Sequence, residues 1–153
     1  MFFYAALATV FIVNTASTCS SDDDSSSSSP TTTEVINTVS QGTWRVTSFV
    51  EDGSDHTNYF SNFDFTFGDS NMVTASNGTS TYTGTWSVIS DSRSDDDDDS
   101  GDSLDFNIFF SSPDDFTELN EDWDILERTN SRVRLQHISG GDGSLDTLTF
   151  EKN

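Results

Sequence analysis

The amino-acid sequence predicts an all-β protein, in which about eight short strands form one antiparallel up-and-down meander that closes into a barrel. From residue 44 onward, apolar residues recur at every second position in successive segments, which is typical of strands with one buried face. Mostly short turns separate these segments and no crossover helix intervenes, so neighbouring strands are expected to pair antiparallel. A β-sandwich of two sheets would give the same pattern and stays open as the alternative.

The first predicted elements are a short helix and three strands. Thr33 is expected to cap the helix and Gly42 to end it. A weak strand at residues 72–75 turns at Asn77-Gly78, a strong hairpin signal because both residues tolerate positive φ. The inward faces of the first two strands are predicted to be Trp44, Val46, Ser48 and Val50, then Phe63, Phe65 and Phe67.

Five further strands follow with the same alternation. Their predicted inward residues are Tyr82, Gly84, Trp86 and Val88; Leu104, Phe106, Ile108 and Phe110; Trp123 in a strand around residues 123–126; Val133, Leu135 and His137; and Leu148 and Phe150. Eight strands can close into a barrel whose interior holds side chains or one small ligand.

The chain before the strands divides at Cys19, its one cysteine. An apolar run at residues 2–13 and small residues at 15–18 are typical of a signal peptide, here residues 1–18. The alternative is a transmembrane anchor, but the run is shorter than the ~20 residues needed to span a bilayer. Residues 19–33, rich in Ser, Asp and Thr, are predicted to be a disordered tether, and residues 34–153 the folded domain.

The position of Cys19 after small residues resembles the lipobox of bacterial lipoproteins. That resemblance implies that Cys19 carries lipid, palmitate included, and becomes the mature N-terminus, so that the protein is anchored in a membrane. The acidic segment from Ser20 to Asp24 also resembles an export signal that sends some lipoproteins to the outer face of the outer membrane. We therefore expect a protein anchored in the outer membrane and facing the cell exterior.

Gly42-Thr43-Trp44 at the start of the first strand resembles the GxW signature of lipocalins. A second Gly-Thr-Trp lies at residues 84–86, and the resemblance covers residues 42–152. The second lipocalin signature is not present at residues 129–131, and Lys152 is the sole candidate for the basic residue of the closing strand. The chain is therefore similar to the divergent lipocalin-like domains of small bacterial surface lipoproteins, which implies a ligand-binding barrel.

The formal net charge of −21 limits the partners of the protein. DNA and RNA are unfavourable because phosphate repulsion would dominate their binding. Anionic headgroups would be repelled in the same way, so membrane contact is expected through the lipid on Cys19. The expected ligand is a small apolar molecule, a glycan or a partner protein.

Aromatic residues in the inward registers are the candidates for lining a ligand cavity. The alternative is that they simply fill the barrel, as small eight-stranded interiors usually are filled. For His137 the alternative is a histidine of the core or rim whose hydrogen bonds are satisfied. The candidate cavity residues are Trp44, Phe65, Tyr82, Trp86, Phe106, Trp123 and His137.

The aspartate-rich segment 91–102 resembles the opening of a calcium-binding loop. The possible ligands of a weak Ca²⁺ site are Asp96, Asp98, Ser100 and Asp102. The alternative is a solvated, self-repelling loop, and no other cofactor is expected. Zinc-protease and α/β-hydrolase motifs are absent from the sequence, so we expect a non-enzymatic binding protein. A structural or accessory lipoprotein with a filled core is the alternative, and a hydrolase is the weakest hypothesis.

Overall fold

The computed structural model describes residues 31–91, 103–141 and 143–153. The elements are α1 (Thr32–Val39), β1 (Trp44–Glu51), β2 (Ser54–Asp55), a 3₁₀ helix (Thr57–Phe60), β3 (Asp64–Phe67), β4 (Met72–Ser76), β5 (Thr81–Asp91), β6 (Ser103–Phe109), α2 (Asp114–Thr117), β7 (Asp122–Arg128), β8 (Arg132–Ile138) and β9 (Leu145–Lys152). Strands adjacent in sequence pair antiparallel from β3 to β9, and β1 pairs with both β3 and β9. Eight strands therefore close into an up-and-down barrel, which confirms the predicted fold and removes the sandwich alternative.

Helix α1 begins with a reciprocal capping box. The Thr31 hydroxyl accepts from the Glu34 amide at 3.3 Å, and the Glu34 carboxylate accepts from the Thr31 amide at 2.9 Å. The prediction that Thr33 caps the helix is therefore wrong, because the reciprocal pair needs a Glu three residues after the cap. Val35 and Val39 are buried and pack against the barrel core.

A β-bulge in β1 changes which side chains face the core. Val46 pairs with Phe150, whereas Ser48 pairs with Thr149, so one extra residue lies on the β1 side. The extra residue reverses the alternation, and Phe49 enters the core in place of Ser48. The predicted inward positions of Ser48 and Val50 are wrong, since both are only half-buried.

Aromatic rings fill the interior of the barrel. Phe67 lies 5.5 Å from both Phe106 and Phe150, measured between ring centroids. Phe65 lies 5.4 Å from Phe150 and 5.9 Å from Phe116 of α2. Most of these pairs are edge-to-face, the geometry that aromatic quadrupoles favour. The core is therefore a continuous aromatic cluster that spans strands from opposite sides of the barrel.

Two glycines occupy positions that disfavour a larger residue, one in a turn and one in a strand. Gly78 adopts a φ of 81° in the β4–β5 turn, while the Asn77 side chain accepts the amides of Thr79 and Ser80. The predicted turn is confirmed, but Asn77 keeps negative φ. Gly84 in β5 lies where a Cβ atom would overlap the carbonyl oxygen of Phe109. A side chain is therefore excluded where β5 crosses the end of β6.

Candidate functional site

Most of the aromatic residues predicted to line a cavity lie inside the barrel and contact other rings. Trp44, Phe65, Phe106 and Trp123 are fully buried, and Trp86 is 6% exposed. Trp86 packs on Phe67 and Phe106, and Trp123 packs on Phe49. Tyr82 is half-buried and contacts Phe63 and Phe116. These contacts fit the alternative in which the rings fill the barrel, and a ligand-lined interior stays a prediction.

The three tryptophans also have their indole N–H groups satisfied. Trp44 donates to the carbonyl of Val39 at 2.9 Å, which ties β1 to the end of α1. Trp123 donates to the carbonyl of Leu119 and Trp86 to that of Gly68, both at 3.1 Å. Each tryptophan thus joins a strand to a neighbouring loop or helix, and its ring body adds to the core.

His137 lies at the rim of the barrel. Its Nδ1 atom is 3.1 Å from the carbonyl oxygen of Asp122, and its Nε2 atom is 3.4 Å from a carboxylate oxygen of Glu121. The ring also meets Trp123 edge-on, with the centroids 6.3 Å apart. His137 therefore links β8 to the start of β7 and lies beside the Glu121 carboxylate.

An open groove of about 420 Å³ lies on the outer face of β5, β6 and the start of β7. The strand register places Ser87, Asn107 and Asp122 side by side across these three strands. Thr85 and Phe109 form the next row, and the Phe109 side chain is 55% exposed. This site could not be predicted from the sequence, because outward polar residues on strands look the same whether or not they line a groove.

Two of the three asparagines in the groove are fixed by the backbone. Asn71 donates to the carbonyl of Trp86 at 3.0 Å. The Asn120 side chain accepts the Phe110 amide at 2.7 Å and donates to the Phe110 carbonyl at 2.8 Å. Asn107 lines the groove, and its side chain makes no hydrogen bond to the described part of the chain. The site therefore combines preorganised amides with one exposed aromatic ring.

A group of carboxylates surrounds Glu51, the last residue of β1. Burial and a hydrogen bond with the Glu118 carboxyl group raise the pKa of Glu51 to about 7, with Asp146 and Asp52 adding repulsion. Asp146 is buried and accepts the backbone amide of Asp52 at 2.9 Å. Within residues 31–91, 103–141 and 143–153, no group of three or more His, Cys, Asp or Glu side chains is arranged to hold a metal ion.

The remaining predicted sites lie outside the described residues. They are the lipidation site Cys19 and the possible calcium ligands Asp96, Asp98, Ser100 and Asp102. Among the helices that the structure does describe, none has the length and apolar character needed to cross a bilayer. Neither a protein-family model, nor a curated protein, nor a solved structure matches the chain.

Proposed function

We propose that the protein is a lipid-anchored lipoprotein of the outer membrane, tethered through Cys19, and that its divergent lipocalin-like barrel binds neutral glycans. The proposed binding site is the groove on β5 and β6, and not the barrel interior. One observation carries this proposal: Asn71, Asn107 and Asn120 meet the exposed ring of Phe109 in one open groove. The anchor is supported by the sequence around Cys19.

The groove has the chemistry that sugars need. Sugar hydroxyl groups are both donors and acceptors, and amide side chains offer both functions in a fixed plane. The axial C–H groups of a pyranose ring pack on aromatic faces, and Phe109 supplies such a surface at the edge of the groove. The hydroxyl groups of Thr85 and Ser87 lie on the adjacent strand and add further partners.

Other ligand classes fit the groove less well. An apolar ligand would cover the amide of Asn107 without replacing its bonds to water, and an unsatisfied buried amide costs about 1–3 kcal/mol. An anionic ligand would face the carboxylates of Glu121 and Asp122, which line the same groove. Neutral polyhydroxyl ligands avoid both penalties, because carboxylates are good acceptors for sugar hydroxyl groups.

The filled interior supports binding on the outer wall. Rings from β3, β6 and β9 pack with centroids 5.4–5.5 Å apart across the core, so a ligand of several sugar units would have to displace them. Close packing makes such displacement costly. The same filled core was expected for an accessory lipoprotein, which stays the second candidate if no glycan binds.

The groove is tested by NMR titration of the full chain with maltohexaose, cellohexaose, xylohexaose and chitohexaose. We expect at least one to give saturable shifts at the Asn107 and Asn120 side-chain amides. Phe109→Ala should weaken that binding about tenfold, as expected for loss of a stacking contact of ~1 kcal/mol or more. Ile138→Ala is the matched control, because Ile138 is 57% exposed and does not line the groove. Equal loss in both variants, or no saturable shift with any of the four oligosaccharides, would reject the groove.

The anchor is tested separately by fractionation. Cys19→Ser should leave the protein unprocessed or soluble, while the wild type partitions with the outer membrane and carries acyl chains detectable by mass spectrometry. If the variant partitions with the outer membrane as fully as the wild type, lipidation of Cys19 does not hold the protein there.

A further inference from the structure

Five of the six basic residues of this acidic protein are described by the structure, and these five gather at one end of the barrel. All five lie on β1, β7, β8 and β9. They are near the end of the barrel at which β7 and β9 finish and β8 begins. Helix α1 packs at the same end. The five residues are Arg45, Arg128, Arg132, Arg134 and Lys152. A chain with a net charge of −21 therefore has one local region rich in cations.

Carboxylates neutralise part of this basic region. Glu127 lies 3.9 Å from Arg132 and 3.4 Å from Arg134, measured between charged atoms. Glu151 lies 3.3 Å from Arg132. Arg132 and Arg134 thus have carboxylate partners on neighbouring strands, which partly compensate their charges.

Arg128 and Lys152 differ from these two arginines. Within the described part of the chain, Lys152 forms no ion pair and contacts the Trp44 ring instead. Arg128 donates to the Thr38 hydroxyl at 3.0 Å and lies 3.8 Å from the Glu34 carboxylate. Its Nε atom is buried and has no hydrogen-bond partner there. Because Nε is shielded from solvent, a ligand would contact the terminal nitrogens of the partly exposed Arg128 guanidinium.

Both cations line one cavity of about 290 Å³ between α1 and the ends of β7 and β9. The remaining lining is mostly neutral and contains the amides of Asn37, Gln41 and Asn130. Glu34 is the one carboxylate in the lining, and it is engaged by the Thr31 backbone and by Arg128. The cavity therefore offers a guanidinium, an ammonium and three amide groups to a ligand, with one of the two positive charges left uncompensated.

We propose that this cavity binds a phosphate group, with Arg128 and Lys152 as its charged donors. Guanidinium and ammonium groups are the usual partners of phosphate oxygens, and the three amides suit a polyol attached to the phosphate. The distant acids weaken the attraction little, since the screening length is about 8 Å at physiological ionic strength. The phosphate could belong to a soluble phosphorylated sugar or to a lipid headgroup.

The experiment titrates the full chain with inorganic phosphate and with glucose 6-phosphate, and follows the Trp44 indole N–H signal by NMR. Lys152 lies against this ring, so a ligand at Lys152 should shift the signal. We expect saturable binding that Lys152→Met and Arg128→Met each weaken about tenfold or more, as for loss of a charge-assisted hydrogen bond. Met keeps a long apolar stem in place, and Lys152→Arg should restore binding.

Arg134→Gln is the matched control, because it removes one positive charge nearby from a residue that does not line this cavity. It should leave the affinity within about twofold. Co-sedimentation with phosphatidylglycerol and phosphatidylcholine vesicles distinguishes the two sources of phosphate. Selective, Lys152-dependent binding to phosphatidylglycerol indicates a lipid headgroup, and saturation by glucose 6-phosphate indicates a soluble ligand.

Two outcomes would overturn the proposal. One is the absence of Lys152-dependent binding both to the soluble phosphates and to phosphatidylglycerol vesicles. The other is an equal loss of binding in Arg134→Gln, which would show a general charge effect and no site. Neither outcome bears on the glycan groove, which lies on β5 and β6.

Discussion

The ammonium nitrogen of Lys152 lies 5.0 Å from the centroid of the Trp44 ring. The two residues are also direct partners in the register of β1 and β9, the strands whose pairing closes the barrel. The Lys152 side chain of the last strand thus covers the ring of Trp44 on the first strand. Lys152, the sole candidate for a basic residue of the closing strand, occupies the position that can make this cation–π contact.

Trp44→Ala is expected to destabilise the protein by about 3–5 kcal/mol, because the Trp44 side chain is fully buried and its loss leaves a large void. The loss of the hydrogen bond to Val39 adds to this effect. Chemical denaturation followed by circular dichroism measures the free energy of unfolding. Ile138→Ala, at an exposed site, should change it by less than about 0.5 kcal/mol. A change below about 1 kcal/mol for Trp44→Ala would contradict its burial.

Gly84→Ala should destabilise the barrel by about 1–3 kcal/mol, because the added methyl group would overlap the backbone of Phe109 and push against Phe110. Gly140→Ala is the control, since a Cβ atom at Gly140 meets nothing within 4 Å. Thermal melts of the two variants provide the comparison. Equal melting temperatures would mean that β5 and β6 do not approach as closely as described.

Thr31→Ala should lower the free energy of unfolding by about 1 kcal/mol, because it removes the side chain that caps α1. Thr33→Ala should have a much smaller effect, since Thr33 lies inside the helix and is exposed. Urea denaturation of both variants decides which threonine is the cap. A larger loss in Thr33→Ala would restore the assignment made from sequence.

Glu51→Gln should make the stability of the protein less dependent on pH. The folded pKa of Glu51 is raised to about 7 from 4.5, so the native state binds its proton more tightly than the unfolded chain does. The contribution of Glu51 to stability is therefore fully present below pH 4.5 and is lost as the pH rises through 7. At pH 8 the substitution removes an unfavourable charge beside Glu118 and Asp146.

At pH 8, Glu51→Gln should raise the free energy of unfolding by roughly 1 kcal/mol, which allows for solvent screening of a half-exposed group. At pH 4 the difference from the wild type should be small. Denaturation curves collected between these pH values give the comparison. A constant difference across the range would show that Glu51 does not titrate differently in the folded state.

The inward alternation of the strands could be predicted because burial leaves a direct mark on residue type. Phe65, Phe67 and Phe106 follow the two-residue period and all enter the core. The bulge at Val46 could not be predicted, because the sequence TSFV offers an inward position to either Ser48 or Phe49. Pairing with β9 decides between them, and that pairing involves residues about 100 positions away.

The candidate sites were harder to predict than the fold. Asn107 and Phe109 look like ordinary outward residues of a strand, and they form a groove because β5 and β7 bring Ser87 and Asp122 beside them. The pairing of Lys152 with Trp44 likewise depends on barrel closure. The sequence favoured an interior site because aromatic residues mark the core clearly, whereas a surface site depends on which polar residues become neighbours.

The position of the groove on the wall of the barrel affects how the protein can evolve. Side chains that point outward from a strand contribute little to core packing, so changes at Thr85, Ser87 or Asn107 cost little folding stability. Residues that line a cavity inside the barrel could not vary so freely, since each would also be part of the aromatic core. A barrel built in this way can change the residues of its outer groove while its aromatic core stays constant.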